Sequence, residues 1–452
     1  MATTLVLNVV GLTSELLESG DMPNLQKFAA DNSMKNIDAA FPAVTCTAQA
    51  NMLMGTTPDK HGAVANGWYH RELSEVWLWR QSVNLINNAG KTIFSKWRES
   101  KTGEQRQSHQ LFWWWNLPSD ADFSITPRPT YYADGRKGPD IHSSPADLRN
   151  TIQRELGDFP LFNFWGPKAN IKSTQWIINA TLSQIKKHPC GLHLSYLPHL
   201  DYDLQRYGPN SPQALKACAE LDAAIAPLLT LDDADTIVLS EYGIENVSDC
   251  VYPNKILNTA GLLQIHSAKN GTLLDPGNSR AFAVCDHQIA HVYVKDDDDI
   301  DKVFDLLSNC EGIESVQRRE DVTELNHPRS GELIITAQQG FWFAYPYWLD
   351  NQPEPDFARC VDIHRKPGFD PCELFLDPKK KFVKLRILFA LIKKTLGFRY
   401  TLDVVPIDGS LVKGSHGRHP SRPGLGPLII APDSLMPDGD SVASTAVFDK
   451  LF

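Results

Sequence analysis

The sequence predicts an α/β fold built on a doubly wound, mostly parallel sheet, and three observations carry that prediction. Near-continuous apolar runs of strand length recur at Thr4 to Val10, "GLHLSYLP" (Gly191 to Pro198), "DTIVLSEYG" (Asp235 to Gly243) and "GPLIIAP" (Gly426 to Pro432). Strands apolar on both faces belong to sheets covered on both sides, which are mainly parallel ones. Helical patterns separate the first three runs. The runs come from both ends of the chain, so one sheet gathers the N-terminal and C-terminal parts. A chain of 452 residues with 42% hydrophobic content can bury one large core plus insertions, or two domains. The shared sheet favours a single α/β domain over 1–452.

Taken in order, the first strand ends at Gly11 and leads into a helical pattern from Ser14 to Asn32. "FPAVTCTAQANMLMGTTPDKHG" (Phe41 to Gly62) sets Thr45 in a turn after an apolar lead-in, with small residues from Thr47 to Asn51 that can begin a helix. Residues 67–167 form an aromatic-rich insertion, with "GWYHRELSEVWLWR", "LFWWWN" and "ITPRPTYYADGRKGPD" (Ile125 to Asp140). Its bland role is irregular packing by large side chains; its functional role is to wall a pocket with Arg128, Arg136 and Lys137. Residues 279–325 read as a small α+β insertion: a strand, the acidic run Asp296 to Asp299 where carboxylates suit a helix dipole, a helix to Cys310, and a second strand. "KKKFVKLRILFALIKK" (Lys379 to Lys394) is basic at both ends and apolar between. An apolar face docked on the protein is favoured over a membrane-surface helix.

Charge and cysteine usage narrow the partners. A formal net charge of -10 argues against nucleic-acid binding through a basic footprint. Eight cysteines without a CxxC pair suit reduced thiols, not a disulfide framework or cysteine zinc site. No apolar run reaches the roughly 18 residues of a membrane span. The N-terminus lacks a basic region followed by an apolar stretch and reads as a strand. The expectation is a cytoplasmic protein with a small-molecule partner and no membrane association. Oligomeric state is not encoded in any pattern found.

The candidate chemistry centres on Thr45. A free threonine hydroxyl is a weak nucleophile, and a metal ion is the usual activator. Carboxylates and imidazoles should then cluster at other strand ends. "YLPHLDYDLQRYGP" supplies Asp201, Asp203 and Gln205, "LSEYG" supplies Ser240 and Glu241, and "KGSHGR" supplies His416. "VDIHRKPGFDP" adds Asp362, His364, Arg365 and Lys366 in a turn that concentrates positive charge. Arg365 and Lys366 there suit a substrate phosphate. Trp68 and Tyr242 complete the expected substrate contacts.

This order of motifs resembles the nucleotide pyrophosphatase/phosphodiesterase family of the alkaline phosphatase superfamily, from "LNVVGL" through "FPAVTCT", "GTTPDKHG", "DYDLQRYGP" and "VLSEYG" to "GSHG". The resemblance implies an alkaline-phosphatase-like fold, two zinc ions, and hydrolysis of phosphodiester or pyrophosphate bonds through a threonyl intermediate. Thr45 falls on the nucleophile, Asp201 on the aspartate of the Asp-x-x-x-His ligand pair, and His416 on the final histidine. The sequence departs from the family at three places. Gln205 replaces the histidine of that pair, Glu241-Tyr242 replaces the family's Asp-His, and Val10 replaces the strand-one aspartate. The expected metal set is therefore Asp201, Gln205, Glu241 and His416, completed by Asn8 and by His364, with His287, His291, Asp286 and Asp362 as further polar candidates. Oxygen-rich ligands fit Mn²⁺ or Mg²⁺ as well as Zn²⁺. Metal-dependent hydrolysis of a phospho-ester is the expected function. The alternative is a non-catalytic binding or scaffolding protein that kept the fold, and a third reading is a one-metal enzyme on a phosphonate or sulfate ester.

Overall fold

The computed structural model describes residues 3–19, 21–133, 136–398 and 400–452. In chain order the strands that position the site are β1 (Thr3–Val9), β2 (Ser33–Asp38), β3 (Ser108–Leu111), β4 (Phe123–Pro127), β5 (Ile141–Ser144), β6 (Gly191–Leu197), β7 (Ala234–Leu239), β8 (Ala281–Asp286), β9 (Ile289–Val294), β10 (Ile313–Arg318), β11 (Leu333–Ala337), β12 (Leu428–Ala431) and β13 (Ser441–Ala443). Nine of them form the central sheet in the order β13-β2-β12-β7-β1-β6-β3-β4-β5. The run from β7 to β4 is parallel throughout. Strand β12 is antiparallel to both neighbours, and β5 closes the far edge antiparallel to β4.

Every residue of β1 and of β6 is buried, which is why both read as near-continuous apolar runs. The covering helices include α1 (Pro23–Ala30), α2 (Thr45–Met54), α3 (Ile171–Lys187), α4 (His199–Tyr207) and α5 (Pro212–Leu229), followed by α6 (Ile300–Ser308) and α7 (Val383–Thr395). Asp222 of α5 binds α1 at its first turn, accepting from the Asn24 and Leu25 amides at 3.1 and 2.8 Å. A carboxylate there satisfies helix N-terminal donors and complements the dipole.

Three sequence expectations change. The helical pattern from Ser14 to Asn32 is two helices, Ser14–Glu18 and Pro23–Ala30, because Pro23 starts a helix and cannot sit inside one; Gly20 lies outside the described residues. The aromatic segment 67–167 is no separate insertion, since β3, β4 and β5 extend the central sheet; Asp134 and Gly135 of that segment lie outside the described residues. The small α+β unit reaches beyond residue 325, with β8, β9, β11 and β10 forming a four-stranded antiparallel sheet that α6 covers.

The turn "HRKPGFDP" buries one of its cations. Lys366 is 1% exposed, and its ammonium bonds Asp370 at 2.7 Å, Glu373 at 2.6 Å and the Cys360 carbonyl at 2.9 Å. Removing the cation leaves two buried carboxylates unpaired, which costs about 3 kcal/mol or more. Lys366→Ala should therefore lower the unfolding free energy by about that amount, seen as a lower denaturant midpoint in equilibrium unfolding.

Candidate active site

Four segments meet at the C-terminal ends of the central strands. Strand β1 brings Asn8, the turn after β7 brings Glu241 and Tyr242, α4 after β6 brings Asp201 and Gln205, and α2 opens on Thr45. The strand order β7-β1-β6 makes the first three neighbours. Ser240 locks the turn, donating to the Leu12 carbonyl at 2.6 Å and accepting from the Leu428 amide at 3.0 Å. Gly243 lets the chain pass the Leu425 carbonyl, which would lie 1.8 Å from any Cβ at that position.

Thr45 is the first residue of α2, two positions earlier than the sequence suggested. Val44 takes the N-cap position without a side-chain bond, so the Thr45 hydroxyl is free of capping work. It donates to Glu241 Oε1 at 2.8 Å and lies 3.3 Å from the Tyr242 hydroxyl. The other Glu241 oxygen, Oε2, accepts from Asn8 Nδ2 at 2.9 Å and from Gln49 Nε2 at 2.7 Å. Gln49 is fixed in turn by the Trp114 amide, 2.6 Å from its Oε1. Sequence reasoning missed Gln49, which sits four residues after Thr45 on the same helical face.

Burial pushes the Glu241 carboxyl up to about 7, against the opposing pull of the Asn8, Gln49 and Thr45 donors. Burial also raises Asp201, while its bond from Gln205 Nε2 at 2.8 Å, the nearby His287 and the Tyr242 hydroxyl at 3.2 Å draw it down. Tyr242 lies among these groups and is held protonated by burial and by both carboxyls. A line of hydrogen bonds thus runs from Glu241 through Thr45 and Tyr242 to Asp201. With Glu241 ionised, the threonine hydrogen points to Glu241. With Glu241 protonated, each hydroxyl can turn to donate toward Asp201.

His416 stacks on Tyr242 with ring centroids 3.6 Å apart and uses Nδ1 on the Ala43 carbonyl at 2.7 Å. His287 sits 3.8 Å from His416, its Nδ1 paired with Asp286 at 2.7 Å. The Nε2 atoms of both rings are buried without a protein partner. Burial, and then His287, holds the His416 imidazole well below its ordinary value, so it is neutral. His287 and His291 do not share a strand face as expected. His287 occupies the turn between β8 and β9 at φ +61°, while His291 in β9 bonds the Val64 carbonyl through Nε2 at 3.0 Å.

The residues present do not fit the pair of ions that the resemblance implies. Val10 is fully buried in the core, and among the described residues no group of three or more His, Cys, Asp or Glu side chains is arranged to hold a metal. Of the expected donors the two carboxylates are engaged within the protein, while Asn8 Oδ1, Gln205 Oε1 and His416 Nε2 are buried without a protein partner. Glu241 is saturated by Thr45, Asn8 and Gln49, and Asp201 by Gln205 and Tyr242. The Tyr242 phenol stands in the interval between Thr45 and Asp201. Asn8 thus faces the site as a hydrogen-bond donor to a carboxylate. Gln205 does the same for Asp201.

The site opens into a cavity of about 1840 Å³. Thr45, Asp201, Gln205, Tyr242 and His287 line its floor, and Trp77, Trp79, Trp114 and Trp165 its walls. Arg80 and Arg128 also face it, close enough that Arg128 helps to hold Arg80 below its ordinary value after burial and against Glu75. Neither guanidinium is bonded to a carboxylate among the described residues. His364 and Arg365 lie on the wall, Arg365 bound to Asp356 at 2.7 Å. His364 makes no contact with Thr45, Asp201 or His416, so its expected place among the metal ligands is corrected to the cavity wall. Two substrate-contact expectations are corrected as well. Lys366 is enclosed by Asp370 and Glu373, and Trp68 is buried under Arg329, 4.8 Å from its ring, so neither lines the cavity.

Comparison with known proteins agrees with this architecture. The family model for type I phosphodiesterase / nucleotide pyrophosphatase matches residues 4–370. An inactive threonine-to-alanine variant of murine ectonucleotide pyrophosphatase/phosphodiesterase 5 in complex with AMP is similar in fold, with a TM-score of 0.57 and 12% identity over 100% of this chain and 94% of that one. Phosphonoacetate hydrolase from Sinorhizobium meliloti 1021, in complex with phosphonoformate, is similar with a TM-score of 0.60 and 13% identity over 99% and 94%. No curated protein matches by sequence.

The raised carboxyl makes a stability prediction. Between the ordinary carboxyl value and about 7, the folded state holds a proton on Glu241 that the unfolded state has released, so its contribution is present in acid and lost as pH rises through 7. Glu241→Gln keeps every partner, its oxygen accepting from Asn8 and Gln49 and its NH₂ donating to Thr45. The variant should unfold at a higher temperature than the wild type at pH 8.5, and the gap should close toward pH 5, as read by calorimetry.

Proposed function

This chain belongs to the type I phosphodiesterase / nucleotide pyrophosphatase family, and from that premise we propose that it hydrolyses a small phosphodiester or pyrophosphate with Thr45 as nucleophile and Glu241 as its general base. One observation carries the reading: the Thr45 hydroxyl rests 2.8 Å from a buried carboxylate, which burial pushes up to about 7, at the floor of a large cavity. A base is best matched when its pKa lies near the working pH. The family is generally dependent on divalent metals. Here the zinc, manganese or magnesium expected from the resemblance has no fitting donor set, so no step is assigned to one.

The chemistry runs in two halves. Ionised Glu241 accepts the Thr45 proton as the oxygen attacks phosphorus, the new O–P bond forms, and the opposite P–O bond breaks. The leaving oxygen takes a proton from water in the cavity, and the hydroxide left behind later takes up the proton that His287 receives, which restores the starting state. Water then attacks the phosphothreonine, and its proton passes to His287 Nε2, an unpartnered ring nitrogen on the cavity floor that Asp286 orients through Nδ1. Glu241 returns its proton to the departing threonine oxygen. Equatorial phosphoryl charge meets the Tyr242 hydroxyl and the N-terminus of α2. Arg80 and Arg128 hold the anionic substrate from the wall, and the tryptophans accept its apolar or aromatic substituent. AMP in the murine relative makes a nucleoside phosphodiester the first substrate to test.

The eight free cysteines support a reducing compartment, and the cytoplasm is the location we propose. Among the described residues no helix is long and apolar enough to cross a membrane.

Activity against a chromogenic phosphodiester should rise with pH through a single ionisation near 7 and persist in chelator. Thr45→Ser should fold and retain part of the activity, and Thr45→Asn should fold and be inactive. Wild-type turnover by Thr45→Asn removes the nucleophile, and a wild type inactive across a broad phospho-ester panel favours the non-catalytic alternative. Arg128→Ala should raise KM roughly tenfold with a smaller change in kcat, the signature of lost substrate binding.

A further inference from the structure

Helix α7 is the part of the molecule that the hydrolytic reading leaves unexplained. The expectation that its apolar face docks on the protein holds only for one side. Ala390 is buried, Ile387 half-buried and Leu391 exposed at the cavity edge, and all three line the outer part of the cavity. A second apolar row at Leu385, Leu388, Phe389, Ile392 and Leu396 faces water, with Phe389 63% and Leu396 66% exposed. These positions follow the i, i+3, i+4, i+7 spacing of one helical face. Phe382 and Phe398 extend the row beyond both ends, at 74% and 63% exposure. Single exposed apolar residues are ordinary on a protein surface, but a contiguous stripe of seven marks an interaction surface.

Charge identifies what covers it. Between Asp377 and Asp403 the sequence has eight Lys or Arg residues and no acidic one, within a chain of net charge -10. Lys379 and Lys380 are paired to Asp408 and Asp403, and Arg386 lies 3.7 Å from Asp403. Lys381, Lys384 and Lys393 have no ion pair among the described residues. On the helical wheel Lys384 borders one edge of the stripe, and Arg386 and Lys393 border the other. A second copy of this chain would set those cations against one another, so charge disfavours self-association. At 13 residues α7 is far too short to span a bilayer and long enough to lie within its surface.

We propose that α7 docks the protein on an anionic lipid bilayer, its outward apolar row entering the headgroup and acyl boundary while the flanking lysines meet lipid phosphates and carboxylates. This places the mouth of the cavity, bounded by Ile387, Leu391 and Phe398, at the lipid surface. The proposal does not depend on the hydrolytic reading, because binding is measured without turnover.

The test is co-sedimentation of the full-length protein with vesicles of phosphatidylcholine alone or with about one third phosphatidylserine, an anionic content sufficient for surface attraction. Wild-type protein should pellet with the anionic vesicles at low salt, bind the neutral ones far more weakly, and be released as salt shortens the screening length. Leu388→Glu with Phe389→Glu should lower partitioning by a factor of at least ten. Lys384→Gln with Lys393→Gln should lower it by roughly twentyfold, at about fivefold per cation. All four positions are exposed, so both variants should match the wild-type thermal unfolding profile. A wild type that stays in the supernatant at low salt overturns the proposal. So does a dimer in analytical ultracentrifugation that Leu388→Glu with Phe389→Glu dissociates, since the stripe is then covered by a second copy.

Discussion

The centre of this protein depends on one buried carboxylate. Glu241 is 1% exposed, and a charge so placed is costly unless every lone pair is answered. Three donors from two elements answer it: Asn8 on β1, and Thr45 and Gln49 on α2. Satisfying Glu241 therefore fixes the angle of α2 against the sheet and aims the threonine. The strand order that sets β7 beside β1 brings Glu241 to Asn8, and β6 on the other side of β1 brings Asp201 near both.

Replacing the ligands of a cation changes the electrostatics in a consistent direction. Burial raises the carboxyls of both Asp201 and Glu241, and neutral amides and hydroxyls oppose that rise. Amide donors stabilise a carboxylate less than a divalent ion does. Under the proposed function, a Glu241 carboxyl pushed up to about 7 by burial can both accept and return a proton. Val10 and Tyr242 belong to the same change. Where the resemblance implies ligands, this chain has an apolar side chain at Val10 and a phenol at Tyr242 that stands between Thr45 and Asp201.

The fold was legible because its evidence is local and repeated. Strands buried on both faces are mostly apolar along their length, as β1, β6 and β12 are, and the buried end of β7 is too. The three strands within 67–167 were hidden, since β3 carries a histidine and a glutamine, "SHQL", and both are buried. The site was half legible. Thr45, Asp201, Glu241 and Tyr242 stand in motifs whose order survives, and the structure brings them together. Gln49 and His287 gave weaker signals: one is an amide in an unremarkable helix, the other lies next to an acid in a hairpin turn. Lys366 misled because a cation in a Pro-Gly turn reads as exposed, whereas two carboxyls distant by four and seven residues draw it inside.

The central claim is that Thr45 becomes phosphorylated through Glu241 without a metal. Intact-mass spectrometry of the protein mixed with a phosphodiester and quenched within the first turnover, in buffer containing chelator, tests it most directly. The account predicts one phosphoryl adduct per chain, mapped by peptide sequencing to Thr45, formed faster above pH 7 than below it and absent from Glu241→Gln. An adduct that appears only after Zn²⁺, Mn²⁺ or Mg²⁺ is supplied, or one carried on another residue, would contradict it.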